Sequence, residues 1–194
     1  MIVWRVREEI LSAHLSYPRP ERQTAGTADA IVPRLARVGI LSGFRAFKDY
    51  EDAARSLKVP LQILEVQAPT ADLPRLFQVA VKERVSAIIT TSVPSLSVHR
   101  KQIADLALQH QLPLMSESVT VVEAGGLASY DAHRDEIYRR AAFYVDKILK
   151  GAKPADLPVE QASKFELAIN LKTAKQIGVT IPPNVLARAD RVIK

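Results

Sequence analysis

Polar side chains follow several short apolar runs that have the composition of buried β-strands. These positions, which include one glycine and one phenylalanine, are Ser42, Gly43, Phe44, Thr91, Ser92, Ser116 and Glu117. In a parallel sheet, ligands bind in the crevice beyond the carboxyl ends of the strands. Hydroxyl groups and free backbone N–H groups favour a carboxylate or another anionic group there. Helix capping is the alternative explanation for any single serine or threonine, but several such loops at one edge favour a shared pocket.

No catalytic motif accompanies these residues. The sequence contains no GxSxG, GxxxxGK[ST], HExxH or GxGxxG pattern, and its four histidines show no i, i+4 pairing. Cysteine is absent, which excludes disulfides, thiolate catalysis and cysteine-ligated metals. Glu117 lacks an evident second carboxylate for acid–base chemistry. The sequence therefore predicts a protein that is not an enzyme and that uses no metal or cofactor.

Charge and hydropathy exclude several classes of partner. The net charge of +6 permits attraction to anions, but the basic residues are interleaved with acids, as on solvated helix faces. No apolar run approaches the about 18 residues of a membrane span. Arg5, Arg7, Glu8 and Glu9 stand where a signal peptide has a continuous apolar stretch. We therefore expect no nucleic-acid partner, no membrane span and, for the chain as written, a cytoplasmic location.

Strand and helix patterns alternate regularly from about residue 37. The strand candidates are RVGILSG, LQILEV, SAIITT and LPLM, and the helix candidates between them are FKDYEDAARSL, TADLPRLFQVAVKER and SLSVHRKQIADLALQH. In the first helix, Tyr50 belongs to an apolar stripe that predicts packing. In the second, Thr70 or Asp72 is the predicted N-cap. Such alternation predicts βαβ units and hence an α/β fold with a doubly wound parallel sheet.

The last third of the sequence carries longer patterns that resemble a known family. The segments are HRKQIADLALQHQLP, VEAGGLASY, YRRAAFYVDKILKGAKPADLPVEQ and KFELAINLKTAKQIGVTIPPNVLARADRVI. They resemble ABC-transporter substrate-binding proteins, whose better-understood members bind aromatic amino acids. The resemblance implies a periplasmic-binding-protein-like single lobe with a crossover strand and helix. It also implies a small amino-acid-like or organic solute as ligand and a periplasmic location for the family.

The resemblance divides the chain into four segments and leaves most of a first lobe missing. These are a divergent N-terminal segment (1–33), an α/β lobe (34–124), a crossover strand and helix (125–150) and a C-terminal return strand and helix (151–194). We expect a truncated receptor that binds solute weakly or not at all, with an ABC permease as partner only if a full two-lobed form exists. A misassigned start codon or a decayed gene would also explain the missing lobe.

By position, the resemblance assigns ligand contacts to the polar residues above and to Tyr130. Two features depart from the family pattern. The loop at Ser42 is shorter and lacks the family's Asn-Pro, and Asp131 stands where a glycine usually follows the family's Ser-Tyr.

The helix near residues 135–150 is expected to lack a partner in a single lobe. Its apolar face consists of Ile137, Ala141, Val145 and Ile148. The resemblance implies that the preceding strand LASY also belongs to the missing lobe and lacks its neighbours. Exposed strand edges and apolar faces are interaction sites, so we predict a homodimer, isologous or swapped. Alternatively, the N-terminal segment with Trp4 and Ile10 covers this face, or the chain is a cytoplasmic dimeric sensory or interaction module.

Overall fold

The fold is built on one mostly parallel sheet. The computed structural model describes residues 36–43, 48–56, 58–66, 72–91, 93–160 and 164–194. Its strands are β1 (Val38–Ser42), β2 (Leu61–Glu65), β3 (Ala87–Thr90), β4 (Leu114–Ser116), β5 (Ala128–Ala132), β6 (Phe165–Asn170) and β7 (Arg191–Ile193). They are ordered β2-β1-β3-β4-β5-β6-β7. Every neighbouring pair is parallel except β5 and β6, which are antiparallel.

Helices connect the strands and cover both faces of the sheet. They are α1 (Lys48–Ser56), α2 (Leu73–Lys82), α3 (Pro94–Ser97), α4 (Arg100–Gln109), α5 (Val119–Glu123), α6 (Arg134–Leu149), α7 (Leu171–Gln176) and α8 (Pro183–Leu186). Asp72 is the N-cap of α2, since its side chain accepts a hydrogen bond from the Arg75 backbone N–H at 3.1 Å. That prediction is confirmed, whereas Thr70 lies outside the described residues.

Two apolar cores lie on opposite sides of the sheet because successive strand side chains point to opposite faces. Ile40 packs with Tyr50 of α1 and Ile177 after α7. The next residue, Leu41, packs on the other side with residues of α2 and α4 such as Phe77 and Ile103. We call these faces the α1 side and the α2 side. The predicted doubly wound α/β fold is therefore confirmed.

The direction of winding changes between β1 and β3. The chain leaves β1, passes α1 on one face and returns as β2, the outer neighbour of β1. It then crosses back over the other face through α2 to reach β3, on the far side of β1. The connections after β1 and β3 lead away from each other, and a topology of this kind places the binding crevice at the carboxyl ends of these two strands.

Three local expectations from the sequence were wrong or incomplete. The LASY strand does not lack neighbours, because β5 is hydrogen-bonded between β4 and β6. The single helix expected over SLSVHRKQIADLALQH is divided into α3 and α4 by a turn at Val98 and His99. Helix α5 and the edge strand β7 were not predicted, because each is too short to show a periodic pattern.

Candidate functional site

Two hydroxyl groups lie where the topology places the crevice, at the carboxyl ends of β1 and β3. Ser42 is the last residue of β1, and Thr91 directly follows β3. Both are buried, and the Thr91 hydroxyl donates a hydrogen bond to the Ser42 Oγ at 3.3 Å. Both side chains lie on the α1 side, because Ile40 and Ile89, two residues before them, belong to that core. The fold therefore brings together two of the residues that the sequence placed in separate strand-end loops.

A carboxylate lies at the same edge on the same side. Glu117, in the bend after β4, is partly exposed, and its Oε1 accepts a hydrogen bond from the Tyr50 hydroxyl at 2.9 Å. Tyr50 comes from α1 and is only 4% exposed. The sequence predicted Glu117 as a site residue but interpreted Tyr50 as packing alone. The apolar surroundings of the Tyr50 ring fit that interpretation, while the Tyr50 hydroxyl bonds to Glu117 at the edge of the sheet.

Two other hydroxyls near the strand ends face the α2 side. Ser116 lies two residues after Leu114, which packs in the α2-side core, and its Oγ accepts a hydrogen bond from the Ser118 backbone N–H at 3.1 Å. Thr90 is 2% exposed, and its hydroxyl has no hydrogen-bond partner among the described residues. Ser116 does not lie with Ser42 and Thr91, because its side chain points to the opposite face of the sheet.

The remaining predicted contacts lie around this edge. Gly43 is exposed, and a Cβ atom there would lie 2.6 Å from the Ser95 Oγ at the start of α3. Tyr130, in β5, packs against the α1-side core and stacks on Phe165 of β6 with ring centroids 5.1 Å apart. Phe44 and Ser92 lie outside the described residues.

A second surface lies on α6, which contains no buried residue. Ile137, Ala141, Val145 and Ile148 fall on one face of the helix, as the sequence predicted. The three larger side chains of this face are 45%, 56% and 41% exposed, and Tyr138 and Leu149 extend the apolar surface at its margin. We call these six residues the α6 face. Within the described part of the chain, the α6 face is not covered.

The neighbouring side of α6 is covered by the segment that follows it. The Tyr144 hydroxyl donates a hydrogen bond to the Pro158 carbonyl at 2.7 Å, and Arg140 forms an ion pair with Glu160. The Arg140 guanidinium also lies over the Phe143 ring, 4.5 Å from its centroid. Residues 152–160 thus run back along α6 and fix one side of it, whereas the α6 face has no partner among the residues that the structure describes.

Neither a metal site nor a membrane-spanning helix is present in the part of the chain that the structure describes. No group of three or more His, Asp or Glu side chains in the described ranges is arranged to hold a metal ion. Among the same residues, no helix is both long and apolar enough to cross a bilayer.

The family model described as ABC transporter substrate binding protein matches residues 27–193. The chain belongs to this family. Members of the family bind small solutes, work with ABC permeases and are normally periplasmic, and the family is generally non-enzymatic. No curated protein sequence matches this chain.

Solved structures similar to this family member share its fold. A conserved domain protein from Vibrio cholerae is 25% identical, with a TM-score of 0.74, over 84% of this chain and 57% of that chain. An ABC domain in complex with L-Trp from Streptococcus pneumoniae is 25% identical, with a TM-score of 0.70, over 85% of this chain and 59% of that chain. CD0873, a substrate-binding protein with adhesive properties from Clostridium difficile, is 14% identical, with a TM-score of 0.64. The chain spans less than two thirds of the length of each of these structures.

Proposed function

We propose that this protein is the solute-binding lobe of an ABC-transporter receptor and that solute contacts the α1 side of the β1–β3 crevice. The single observation that carries the proposal is the buried Ser42–Thr91 hydroxyl pair at the point where the winding direction changes. Family membership supports the same function. In this proposal the chain keeps the division into an N-terminal segment (1–33), a lobe (34–124), a crossover (125–150) and a return segment (151–194).

The proposed ligand is a small amino-acid-like or other organic solute. The support is the structural similarity to a domain solved in complex with L-Trp and the presence of both hydroxyl groups and a carboxylate at the crevice. One lobe supplies half of a clamp, so hinge closure around the ligand needs a second lobe. We therefore expect dissociation constants in the millimolar range for the isolated chain.

Titration calorimetry against aromatic and branched-chain amino acids tests the proposal. Micromolar or tighter binding by a monomer would contradict the expectation that one lobe forms only half of the binding site, because a single lobe would then be sufficient for tight binding. Thr91→Val, which removes one hydroxyl of the pair, should weaken any binding by about tenfold, the effect of losing one well-placed hydrogen bond. The matched control is Thr180→Val, at an exposed position after α7.

We further propose that a second copy of this chain covers the α6 face. An apolar helix surface of this kind is an interaction site by default. The similar structures have more than two fifths of their length outside the match, which is the size of a lobe that would cover such a helix. In the isolated chain, a second copy offers the same apolar strip and can pair with it around a twofold axis.

Light scattering of the chain at micromolar concentrations tests the dimer. Val145→Glu, at a position that is 56% exposed, should shift the molecular mass to that of a monomer. The matched control Val98→Glu, at a position that is 74% exposed at the turn between α3 and α4, should leave it unchanged. A monomeric mass for the unsubstituted chain would refute the dimer, and a separate lobe would then be the proposed partner of the α6 face.

A second candidate function is that of a cytoplasmic sensory or interaction module that dimerises through α6. The observation that favours it is the absence of any buried residue on α6, because a helix kept without a core needs a partner. Adjacent genes discriminate between the two functions: permease and ATPase genes favour transport, whereas a regulator gene favours sensing.

A further inference from the structure

Four residues of the α6 face have the spacing at which two helices pair. Successive steps of three, four and three residues separate Tyr138, Ala141, Val145 and Ile148. This alternation keeps the apolar side chains of one helix in line with those of a second helix. All four residues are exposed, and we call them the pairing strip. The strip extends over about three turns of α6 and fits another helix laid along it.

Side-chain sizes along the pairing strip match the same strip read in the opposite direction. With a twofold axis near residue 143, Ala141 lies opposite the partner's Val145, and Tyr138 lies opposite the partner's Ile148. Each layer then joins a smaller side chain to a larger one, which fills the space between the helices evenly. A parallel partner would set Ala141 against its own copy and leave a gap there. In the next layer of a parallel pair, two tyrosines would compete for the same space.

The charges at the two ends of α6 favour the same orientation. Residues 134–136 contain two acids and one arginine, whereas residues 146–150 contain two lysines and one aspartate. The first end therefore carries one net negative charge and the second end carries one net positive charge. An antiparallel partner brings opposite charges together at both ends and also opposes the two helix dipoles, whereas a parallel partner aligns like charges and like dipoles.

We propose that a second copy lies antiparallel along the α6 face, so that the two β1–β3 crevices are at opposite ends of the helix pair. This inference rests on the proposed dimer and adds the orientation of the partner. Helix α6 begins at Arg134, two residues after β5 ends at the carboxyl edge of the sheet, where the crevice is placed. Two antiparallel helices of 16 residues start about 24 Å apart. The partner therefore does not supply the second half of the clamp.

Disulfide cross-linking tests the orientation, because the chain contains no cysteine of its own. Tyr138→Cys and Ile148→Cys are made separately, and each is oxidised alone and after mixing with the other. In the antiparallel pair, two copies of residue 138 lie about 15 Å apart along the helix axis, beyond the reach of a disulfide. The mixture should therefore give about fivefold more covalent dimer on non-reducing gels than either variant alone. Val98→Cys, at a position that is 74% exposed, measures cross-linking by random collision.

Solute binding tests the consequence for the crevice. Chemical-shift titration with L-tryptophan is carried out on the isotope-labelled full chain and on Val145→Glu, whose substitution lies outside the crevice. The two dissociation constants should agree within about twofold, because the partner is remote from the crevice. If the dimer instead bound L-tryptophan about tenfold more tightly, which is about 1.4 kcal/mol, the partner would complete the clamp and the inference would be wrong.

The cross-linking outcomes separate this inference from the proposed dimer, and they do so even if no solute binds. If light scattering gives a dimer and each single-cysteine variant cross-links with itself as well as the mixture does, the pair is parallel and only the orientation is wrong. If the mass is that of a dimer but no variant cross-links above the Val98→Cys level, the copies meet through another surface, and both the orientation and the use of the α6 face fail. A monomeric mass refutes the dimer together with its orientation.

Discussion

Asn170 holds the return strand β6 in place, and its replacement should destabilise the fold. It is the last residue of β6 and the N-cap of α7, and it is 5% exposed. Its Oδ1 accepts a hydrogen bond from the Thr173 backbone N–H at 3.0 Å, and its Nδ2 donates to the Val122 carbonyl at 3.1 Å. One side chain thus joins the start of α7 to α5, and Asn170→Ala removes both bonds.

The cost of Asn170→Ala is the sum of two losses. Losing an N-cap side chain costs about 1 kcal/mol. Losing the buried hydrogen bond to Val122 adds about 1 kcal/mol, at the lower end because that carbonyl also accepts from the Gly125 N–H. The free energy of unfolding should therefore fall by about 2 kcal/mol. For a chain of this length, that corresponds to a drop in melting temperature of about 4–8 °C.

Urea denaturation followed by circular dichroism measures this difference. The control is Asn184→Ala, at an exposed position in α8, which should change the free energy of unfolding by less than about 0.5 kcal/mol. Thr173→Val removes a third bond of the same cluster, from the Thr173 hydroxyl to the Gly125 carbonyl at 2.9 Å. Because the two residues share one network, the double variant should depart from additivity by about 0.5–1 kcal/mol. A loss below about 0.5 kcal/mol for Asn170→Ala would refute the reasoning.

Two further substitutions should raise the free energy of unfolding, and each is paired with a control substitution that should lower it. Thr90→Val removes a buried hydroxyl that has no hydrogen-bond partner in the described residues, and it should stabilise the fold by about 1 kcal/mol. Thr91→Val breaks the hydrogen bond to Ser42 and should destabilise the fold by a similar amount. Denaturation midpoints that fall for both variants would contradict this prediction. Arg84, which follows α2 with φ of 55°, occupies the left-handed region that favours glycine. Arg84→Gly should therefore stabilise the fold by about 0.5 kcal/mol, while Gln78→Gly inside α2 should destabilise it by about 1 kcal/mol. Melting temperatures that shift in the same direction for both variants would contradict the left-handed conformation of Arg84.

The main strands and helices could be predicted because their patterns are local. Each of the first four apolar runs forms a strand, which is buried throughout in β1, β3 and β4 and mostly only partly buried in β2. The predicted apolar stripe that contains Tyr50 also packs into the core. The bare face of α6 could also be predicted, since its apolar spacing is visible without a partner. The four residues that the sequence placed on this face are exposed in the structure, although what covers them stays a prediction.

Strand neighbours and short elements could not be predicted from local patterns. The position of β5 between β4 and β6 depends on hydrogen bonds to residues far away in the sequence, which the LASY pattern does not contain. The edge strand β7 has three residues and pairs only with β6. The helix expected across Val98 is broken there although no proline or glycine marks the turn.

The sequence by itself determined the order of the main elements and the set of polar residues at the strand ends, because these follow from residue types and short-range periodicity. The family was recognised from the sequence as well, through the resemblance of its later segments to known members. Only the tertiary structure decided which of those residues lie on the same side of the sheet. Ser42, Thr91 and Glu117 lie on the α1 side and Ser116 on the α2 side, because one residue of register turns a side chain to the opposite face. Likewise, only the packing of α1 across the sheet brings the Tyr50 hydroxyl within 2.9 Å of Glu117.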